Sequence, residues 1–497
     1  MTVSPTTVEP TTSEQLEAIL AAAAAASEPL GSLLPNERAP LLRAVADALD
    51  AAADELVPLA MEESHLPEGR LRGELTRTTF QLRLFAEVLE EGSYLEATID
   101  TADPDWGMGP RPDVRRMLVP LGPTLVYAAS NFPFAFSVAG GDTASALAAG
   151  CPVIVKAHSG HPRLSARTGT IVKDALAQAG APHGTFDVIF GSDQGVQALR
   201  DPRIKAGSFT GSIPGGRALF DIASGRPDPI PFYGELGSLN PVFVFPGAAK
   251  ARPDEIATGF CGSFTLGVGQ FCTKPGLLFV PVGSAIVDAV VAAARDIGPA
   301  PLLNDRIARG YEQGLRRLVE VEGVQVVLHA DPVRDLAVAP TLVKTTVPNL
   351  LEHKDELLEE CFGPASIIVE YADLDELTRA AEAFGGNLTA TVHAEESETD
   401  VVAPLLTLLR ERAGRLLWNG WPTGVSVTYA MHHGGPWPAT TASIHTSVGT
   451  TAIRRFLRPV CYQQMPAALL PVPLRDENVL GIPRRVNGVL TKDDVRH

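Results

Sequence analysis

The sequence predicts an α/β protein with largely parallel sheets, divided into two or three domains. One observation is a repeated alternation of short apolar runs with stretches of helical length, which is typical of βαβ units. Another is the length of 497 residues, which exceeds what one compact core usually holds. The third is an ordinary globular composition, with 45% hydrophobic and 20% charged residues. Together they indicate a globular chain rather than a disordered one.

The first hundred residues are predicted to be helical. Five apolar residues recur with the 3.6-residue period of one helix face: Leu41, Leu42, Val45, Leu49 and Ala52. Residues 77–91 continue this pattern. The alanine-rich run at 18–26 follows Glu14 and Glu17 without a basic segment, so we expect a helix there and not a signal peptide.

Strands and helices alternate from residue 117 onward. Short apolar runs at 117–120 and 124–129 flank Gly122-Pro123 and predict buried strands. The following elements are predicted as strands at 153–155, 186–190 and 206–209, and as helices at 165–178, 194–199 and 217–224. A second α/β region is predicted with strands at 239–245, 324–328 and 366–369, and helices at 285–295, 307–319 and 374–384. The segment after Pro459 is predicted to be an arm rather than a domain.

Charge and cysteine usage exclude several classes of partner. The formal net charge of -17 predicts repulsion from nucleic acid and from anionic membranes. No window is long and apolar enough to span a bilayer. The five cysteines are dispersed and lack CxxC spacing, so neither a disulfide framework nor a metal site is predicted. We therefore expect a soluble cytoplasmic protein with reduced thiols.

Cys272 is a candidate nucleophile. It lies in the segment GQFCTKP at 269–275, after Gly262 and Gly267, where backbone amides can point at a ligand. Such amides lower the pKa of a thiol and favour the reactive thiolate. The alternative is a small buried apolar residue, which is the more frequent role of a single cysteine.

Two further segments contain candidate partners for this chemistry. Glu235 lies between Gly234 and Gly237 before an apolar strand, which suits a general base and also an ordinary loop carboxylate. Asn131 follows a predicted strand, where its amide could donate to an oxyanion or simply form a turn.

A phosphate-containing ligand is suggested at two other strand ends. Lys156 follows a buried strand and could bind a ribose hydroxyl or a phosphate, or remain solvated. Thr210, Gly211 and Ser212 join a strand to a helix, whose N-terminal amides could bind a pyrophosphate. No GxGxxG fingerprint is present, so this motif does not identify a dinucleotide site.

Taken together and in this order, these segments closely resemble the aldehyde dehydrogenase superfamily, from about residue 41 to about residue 458. The segment EECFGP at 359–364 belongs to the same resemblance. The finer similarity is to the branch of 2-oxoglutarate semialdehyde (2,5-dioxovalerate) dehydrogenases and NADP-dependent fatty aldehyde dehydrogenases. It rests on NFP at 131–133 leading into GGDTA at 140–144, WNGWPTG at 418–424, HGGP at 433–436, and RRFLRPVCY at 454–462.

The resemblance implies a domain organisation. An open α/β cofactor-binding domain would comprise residues 1–101 and 121–235, and an α/β catalytic domain residues 236–440. Residues 102–120 and 441–497 would form a small oligomerisation or bridging region with a C-terminal arm. The family's usual homodimer or homotetramer is expected.

The resemblance also implies roles for individual residues. Cys272 would attack the aldehyde to give a thiohemiacetal and then a thioester, which Glu235 hydrolyses by activating water. Asn131 would hold the oxyanion, and His433 would either assist proton transfer or shape the pocket. Further positions are implied in cofactor binding, among them Ser159. Lys156 and Glu360 would contact the riboses, Phe362 would lie near the nicotinamide, and the pyrophosphate would be bound by Thr210, Gly211 and Ser212.

Departures from the family pattern bear on the cofactor. Many superfamily members have tryptophan where this chain has Ser130, and many NAD-preferring members have glutamate where it has Ser159. A carboxylate there would repel a 2′-phosphate, so its absence predicts preference for NADP, with NAD also possible. His158 or Arg163 could add attraction.

The substrate has two readings. Phe132, Phe134 and Phe136 could line an apolar tunnel for a long-chain aldehyde. The arginines at 454, 455 and 458 could anchor a distant carboxylate, with Arg455 the favoured one. Both sets are also explicable without substrate, the phenylalanines by helix packing and the arginines by a solvated or subunit-facing surface. The C-terminal pattern favours 2-oxoglutarate semialdehyde, with a fatty aldehyde as the alternative. Phe132, Phe136 and Arg455 are the predicted substrate contacts. A CoA-acylating enzyme and a non-catalytic relative are further alternatives, and the presence of Glu235 as hydrolytic base argues against the first.

Overall fold

The computed structural model describes residues 8–328 and 335–496, and three sheets organise this part of the chain. The first, called here the N-terminal sheet, has five parallel strands in the spatial order Phe186–Ile189, Val153–Lys156, Thr124–Tyr127, Ala206–Thr210 and Phe232–Glu235. Numbered along the chain, this order is 3-2-1-4-5, the doubly wound arrangement that binds dinucleotides where the winding reverses. The predicted parallel sheet is confirmed.

Helices cover both faces of the N-terminal sheet because its strands are apolar on both sides. Leu125 and Ile154 point into one core and Val126 and Val155 into the other, as the two-residue period of a strand requires. The helices of this half are Ser13–Gly31, Pro35–Ala51, Ala53–Ser64, Glu68–Glu91, Gly141–Ala149, Pro162–Gln178, Ser192–Arg200 and Ile213–Ser224.

The alanine-rich run at 18–26 lies within the helix Ser13–Gly31, as predicted. A capping box formed by Thr12 and Gln15 begins the helix, and Leu16 and Leu20 are buried against the N-terminal sheet. In the described residues, no helix is both long and apolar enough to cross a membrane.

The second sheet, called here the catalytic sheet, has seven strands in the order Gln325–Leu328, Thr341–Thr346, Ala365–Tyr371, Leu277–Pro281, Val242–Val244, Asn387–His393 and Ala413–Trp418. All neighbours are parallel except the first pair. Its helices are Pro246–Ala251, Pro253–Thr265, Ile286–Arg295, Asp305–Glu320, Val347–Glu352, Lys354–Leu357, Leu374–Glu382 and Thr399–Leu409. Phe279 faces one core and Leu278 the other.

The strand predicted at 239–245 is shorter than expected. Asn240 adopts a left-handed conformation with φ 49°, and Pro241 has no N–H to donate to a neighbouring strand. The strand therefore begins only at Val242.

The third sheet joins the C-terminal segment to two earlier strands. Its order is Leu457–Gln463, Val114–Pro120, Thr98–Asp100, Arg484–Val486 and Val489–Thr491. The segment predicted as an arm after Pro459 thus supplies three of these five strands. The buried Arg484 donates to the backbone carbonyls of Asp476 and Asp493 and holds this end of the chain together. A short two-stranded pair, Ala300–Pro301 with Ala337–Val338, lies outside the three sheets.

The packing of Phe279 gives a test of the catalytic sheet. Its ring is fully buried and stacks on Phe243 at 5.0 Å between centroids. Phe279→Ala should therefore lower the free energy of unfolding by about 3–5 kcal/mol in urea denaturation followed by circular dichroism. The control Val282→Ala removes a side chain that is 63% exposed and should cost less than about 0.5 kcal/mol. An equal effect of both variants would contradict the assigned core.

Candidate active site

The candidate site lies where the two large sheets face each other. Glu235 ends the last strand of the N-terminal sheet, and Lys156 ends another of its strands. Cys272 precedes the strand Leu277–Pro281 of the catalytic sheet. The carboxyl ends of the parallel strands of one sheet therefore meet the amino ends of strands of the other. A crevice of this kind is where open α/β sheets bind ligands.

Cys272, His433 and Glu235 form one hydrogen-bonded group. His433 Nε2 lies 2.7 Å from Glu235 Oε1 and 3.5 Å from Cys272 Sγ. Ser447 Oγ donates a short hydrogen bond to the other carboxylate oxygen of Glu235. Glu235 and His433 are buried, whereas Cys272 is partly exposed. The structure thus brings together three residues that the sequence singles out, from three distant segments.

The same three residues are the ligand types that bind Zn²⁺. Their ligand atoms all lie within 4.8 Å of one another, and in the described part of the chain no other group of three such ligands is as close. The histidine nitrogen that faces Cys272 and Glu235 is Nε2, and in this structure Nε2 hydrogen-bonds to the carboxylate instead of being free to bind a metal. The arrangement is suited to moving a proton between sulfur and carboxylate.

The electrostatics of the group differ from the sequence expectation. Burial and the neighbouring carboxylate of Glu235 raise the pKa of the Cys272 thiol well above its usual range. Burial alone would raise the pKa of Glu235. The electrostatic interaction with His433, together with hydrogen bonds from His433, Ser447 and Cys272, outweighs the effect of burial and lowers this pKa. The expected lowering of the Cys272 pKa by backbone amides is therefore wrong. The proton rests on sulfur, and Glu235 is the ionised group that can take it.

The backbone around Cys272 is held in an unusual conformation. Gly267, Val268 and Gly269 are all left-handed, and Val268 at φ 58° is a costly conformation for a β-branched residue. Asn240 Nδ2 donates to the carbonyl oxygens of Cys272 at 2.8 Å and Lys274 at 2.9 Å. The buried amide of Asn240, which sequence reasoning missed, therefore fixes the nucleophile loop from behind.

Asn131 lies beside this loop, next to an aromatic wall. Its amide Nδ2 donates to the carbonyl oxygen of Gln270 at 3.1 Å, two residues before Cys272. The rings of Phe132 and Phe136 meet edge to face at 5.2 Å, and Phe132 meets Phe271 at 5.0 Å. The predicted oxyanion donor and two predicted substrate contacts thus share one side of the site.

One helix supports the Asn131 loop, and sequence reasoning missed it. In Glu68–Glu91, Arg70 donates to the carbonyl oxygen of Asn131 at 2.8 Å. Glu74 Oε1 accepts hydrogen bonds from the N–H groups of Phe134 and Ala135. The sequence feature that indicates this role is a polar residue at each turn of a helix face that is otherwise apolar.

The predicted pyrophosphate region has the shape of a phosphate-binding turn. Thr210 ends its strand, and Ser212 caps the following helix by accepting from the N–H of Gly215 at 3.4 Å. A Cβ on Gly211 would lie 2.5 Å from the Phe209 ring, and one on Gly216 2.1 Å from Leu236. A larger residue at either position would have to displace these side chains, and the N-terminal amides of the helix begin directly after this turn.

The loop with Glu360 and Phe362 is tied to the nucleophile loop. Lys274, two residues after Cys272, is fully buried and donates through Nζ to the carbonyl oxygens of Cys361 and Ala365 at 2.7 and 2.8 Å. Burial raises the pKa of Glu360 to about 7, partly offset by Lys274 and a backbone hydrogen bond from Ser238. Lys274 was not recognised from the sequence, where it reads as an ordinary lysine.

Two residues expected to attract a 2′-phosphate carry no free charge. Burial and the nearby His161 lower the pKa of His158 to about 3, so its ring is neutral at physiological pH. Arg163 is already paired with Glu62 at 2.7 Å and with Glu63 at 3.3 Å. His158 therefore adds no positive charge at the cleft, and the charge of Arg163 is already balanced by two carboxylates. Ser159 itself is exposed at the cleft, as a cofactor contact would require.

Arg306 is a second positive group, beside Lys156, at this end of the cleft. It lies close enough to Lys156 to contribute, after burial, to lowering that residue's pKa. It belongs to the helix Asp305–Glu320 of the other half of the protein. The segments adjoin here, since a Cβ on Gly160 would lie 3.2 Å from Asn304 Nδ2.

Arg455, the predicted substrate anchor, has a different partner. It is 2% exposed and forms an ion pair with Asp142 at 2.7 Å, with a further hydrogen bond to Ser145. Arg454 pairs with Glu96 at 2.9 Å. The structure thus neutralises the charge that the predicted carboxylate contact needs, because the burial of a guanidinium requires a fixed counter-charge.

The sequence matches a known protein family over most of its length. The family described as "Aldehyde dehydrogenase family" matches residues 4–437. Cys272, Glu235, Asn131 and Lys156 all lie inside the matched region, and so does His433.

Two relatives are similar over most of both chains. An alpha-ketoglutaric semialdehyde dehydrogenase of Acinetobacter baylyi is 45% identical over 462 residues, which is 92% of this chain and 88% of the relative. Alpha-ketoglutaric semialdehyde dehydrogenase 2 of Azospirillum brasilense is 47% identical over 457 residues, which is 91% of this chain and 87% of the relative.

Solved structures share the fold at lower identity. A 3,6-anhydro-L-galactose dehydrogenase superposes with a TM-score of 0.77 at 20% identity, over 90% of this chain and 91% of that one. Aldehyde dehydrogenase 21 from Physcomitrella patens, solved with the reaction product succinate, gives 0.77 at 21% identity over 93% of each chain.

The raised pKa of Cys272 predicts the behaviour of its thiol. Because the Glu235 carboxylate disfavours the thiolate, Glu235→Gln should lower the pKa of Cys272 and speed its alkylation by iodoacetamide at pH 7.5 about 3- to 10-fold. The same variant should lose about 100-fold or more in aldehyde turnover, because it removes the predicted general base. Alkylation of Cys272 is followed by mass spectrometry.

The matched control is Glu359→Gln, which removes an exposed carboxylate paired with Arg317. It should leave the alkylation rate unchanged. A slower alkylation in Glu235→Gln would show that the carboxylate activates the thiol more than its charge suppresses it, and would contradict the electrostatic assignment.

Proposed function

Since the chain belongs to the aldehyde dehydrogenase family and is therefore an oxidoreductase acting on aldehydes, we propose that its substrate is 2-oxoglutarate semialdehyde and its product 2-oxoglutarate. Two relatives named for this substrate, at 45% and 47% identity over nine-tenths of the chain, support the choice. The main structural support for this reaction is the hydrogen-bonded group in which His433 contacts both Cys272 and Glu235.

The first step is attack by Cys272 on the aldehyde carbon. The thiol proton passes to the ionised carboxylate of Glu235 as the sulfur–carbon bond forms, which gives the oxyanion of a thiohemiacetal. The amide of Asn131 and the backbone N–H of Cys272 are the proposed donors to the oxyanion, and each such donor contributes roughly 2.7–4 kcal/mol in comparable sites. Asn131 is suited to this because its amide already lies at the nucleophile loop.

The second step is hydrolysis of a thioester on Cys272. A nicotinamide cofactor, when bound, would supply the two-electron acceptor needed to oxidise the thiohemiacetal to this thioester. Once the proton taken from the thiol has passed from Glu235 to solvent in the cleft, the ionised carboxylate removes a proton from the attacking water. His433 is the proposed positioning residue for Glu235: its Nε2 holds one carboxylate oxygen, while its Nδ1 has no partner in the described residues and so continues no proton path.

The residues of the cleft fit a dinucleotide. The 3-2-1-4-5 strand order places the Asn131 loop and the turn at Thr210 and Gly211 on the two sides of the winding reversal. Ser212 and the open amides of its helix suit the pyrophosphate. Lys156 and Glu360 are the proposed ribose contacts, and Phe362 the proposed neighbour of the nicotinamide.

NADP is the proposed preferred form of the cofactor, with NAD as a second substrate. Ser159 carries no charge where a carboxylate would repel a 2′-phosphate, and Lys156 and Arg306 together make this end of the cleft positive. Arg306 is the proposed 2′-phosphate contact in place of His158 and Arg163.

The proposed assembly is a homodimer or homotetramer in the cytoplasm. Trp106 at 48% and Met108 at 96% exposure lie in the segment that the family resemblance assigns to oligomerisation, and Val489 and Leu490 expose an edge strand. The proposed domains are residues 1–101 and 121–235 for the cofactor, residues 236–440 for catalysis, and residues 102–120 and 441–497 for assembly. All five cysteines are unpaired thiols, which fits a reducing compartment.

The function is tested by NADPH formation at 340 nm over a set of aldehydes that includes 2-oxoglutarate semialdehyde and decanal. The wild type should prefer the semialdehyde, and Cys272→Ala should lose more than about 1,000-fold in turnover. A preference for decanal would replace the proposal with the fatty aldehyde alternative.

Cys461→Ala, which removes an exposed thiol, is the matched control and should retain full activity. Turnover by Cys272→Ala at the wild-type rate would refute the thiol mechanism.

The cofactor proposal has its own test in the ratio of kcat/KM for NADP to that for NAD. Ser159→Glu should lower kcat/KM for NADP about 10- to 100-fold, because two negative groups would then share the site, and should change the value for NAD less than about threefold. Arg306→Gln should lower the NADP value about tenfold.

Arg316→Gln, on the same helix and exposed, is the control for Arg306 and should leave the ratio unchanged. A wild-type ratio strongly in favour of NAD would contradict the preference outright.

A further inference from the structure

One face of the helix Glu68–Glu91 presents three ionisable residues to the site, spaced by four and three positions. Arg70 holds the carbonyl oxygen of Asn131, and Glu74 holds the N–H groups of Phe134 and Ala135. Arg77 follows on the same face. Within the described residues it makes no hydrogen bond and no ion pair to any protein group.

Arg77 nevertheless lies inside the site. Its guanidinium stands over the ring of Phe136 at 5.2 Å from the centroid, and Phe136 continues the aromatic wall that reaches Phe271 beside Cys272. The charge of Arg77 interacts with Cys272 and Glu235 as well as with Glu74, while burial lowers its pKa. Arg77 is therefore a partly desolvated cation within electrostatic reach of the nucleophile.

The other arginines near the site are already engaged. Arg70 is bound to Asn131 and stands 3.8 Å from Glu74. Arg415 donates to the carbonyl oxygens of Pro422 and Gly424. Arg455 is paired with Asp142. A desolvated guanidinium without a partner is costly, so the position of Arg77 is best explained by an anion that arrives with the substrate.

We propose that Arg77 forms an anion subsite that binds the distal carboxylate of the substrate, an inference that rests on the proposed oxidation of a carboxylate-bearing aldehyde. In an extended five-carbon semialdehyde the carboxylate carbon lies about 5 Å from the aldehyde carbon, on the basis of ordinary carbon–carbon bond lengths. A guanidinium binds a carboxylate through two parallel hydrogen bonds. Phe136 and Phe132 contact the methylene groups between the two ends.

This subsite makes the enzyme selective for aldehydes with a terminal carboxylate. A neutral aldehyde of the same length fills the aromatic wall but leaves Arg77 unpaired, so it gains no charge-assisted hydrogen bond. The selectivity arises from the helix Glu68–Glu91 rather than from the C-terminal arginines that the sequence favours.

The first test compares kcat/KM for 2-oxoglutarate semialdehyde with that for pentanal. Arg77→Gln should lower the value for the semialdehyde about 10- to 100-fold and change that for pentanal less than about threefold. Arg77→Lys keeps the charge and should recover part of the loss. Arg83→Gln is the matched control on the same helix, since Arg83 pairs with Asp47 and Asp50 on the outer surface. It should behave as wild type. Equal losses on both aldehydes in Arg77→Gln would overturn the proposal.

A second measurement does not depend on turnover, and so separates this inference from the proposed function. The alkylation rate of Cys272 is measured with anionic iodoacetate and with neutral iodoacetamide by mass spectrometry. If Arg77 attracts anions to the site, the iodoacetate-to-iodoacetamide ratio should fall about 3- to 10-fold in Arg77→Gln and stay at the wild-type value in Arg83→Gln. An unchanged ratio in Arg77→Gln refutes the anion subsite even if the semialdehyde is the substrate. A changed ratio in a protein that prefers decanal supports the subsite and refutes the proposed substrate.

Discussion

The buried carboxylate of Glu235 is the constraint on which the rest of the site depends. An ionised group taken out of water is stable only when other groups hydrogen-bond to it, and His433 and Ser447 do so from a segment about two hundred residues further along the chain. These bonds fix the last strand of the N-terminal sheet against the segment that follows the catalytic sheet. The carboxylate in turn keeps the proton on the thiol of Cys272. The resting thiol is therefore protonated at neutral pH, and we propose that it reacts as its proton moves to Glu235.

A second set of contacts holds the two loops that carry Cys272 and the proposed oxyanion donor Asn131. Asn240 and Lys274, both buried, tie the backbone around Cys272 to the catalytic sheet and to the loop with Glu360. Arg70 and Glu74 fix the loop of Asn131 from the opposite side. These residues hold the reacting groups in place and take no part in the chemistry themselves. Hydrogen-bond donors stabilise a developing charge best when their arrangement is rigid. The helix Glu68–Glu91 thus connects packing in the N-terminal core to reactivity and, through Arg77, to the choice of substrate.

Much of the fold could be predicted from the sequence, because apolar periodicity reports local structure. The alternation from residue 117 to 245 predicts four of the five strands of the N-terminal sheet to within a few residues and misses the strand Phe232–Glu235. The predicted strands are apolar because helices cover both faces of the sheet. The shorter strand at Val242 could not be predicted, since it depends on the left-handed Asn240, whose side chain is needed elsewhere. The C-terminal segment joins a sheet with strands almost four hundred residues earlier, and no local pattern indicates such a pairing.

The sequence by itself determined the chemical inventory: a cysteine, a glutamate and an asparagine in segments that together resemble one enzyme family. Each residue lies in a local motif, so its type and its neighbours are visible without a structure. The tertiary structure decided how the charges pair. It neutralises Arg455 and Arg163, leaves His158 uncharged, and leaves Arg77 without a protein partner. The physical reason is that electrostatic interaction and desolvation depend on distance and burial in space. Residues far apart in the chain become neighbours only when the two large sheets meet.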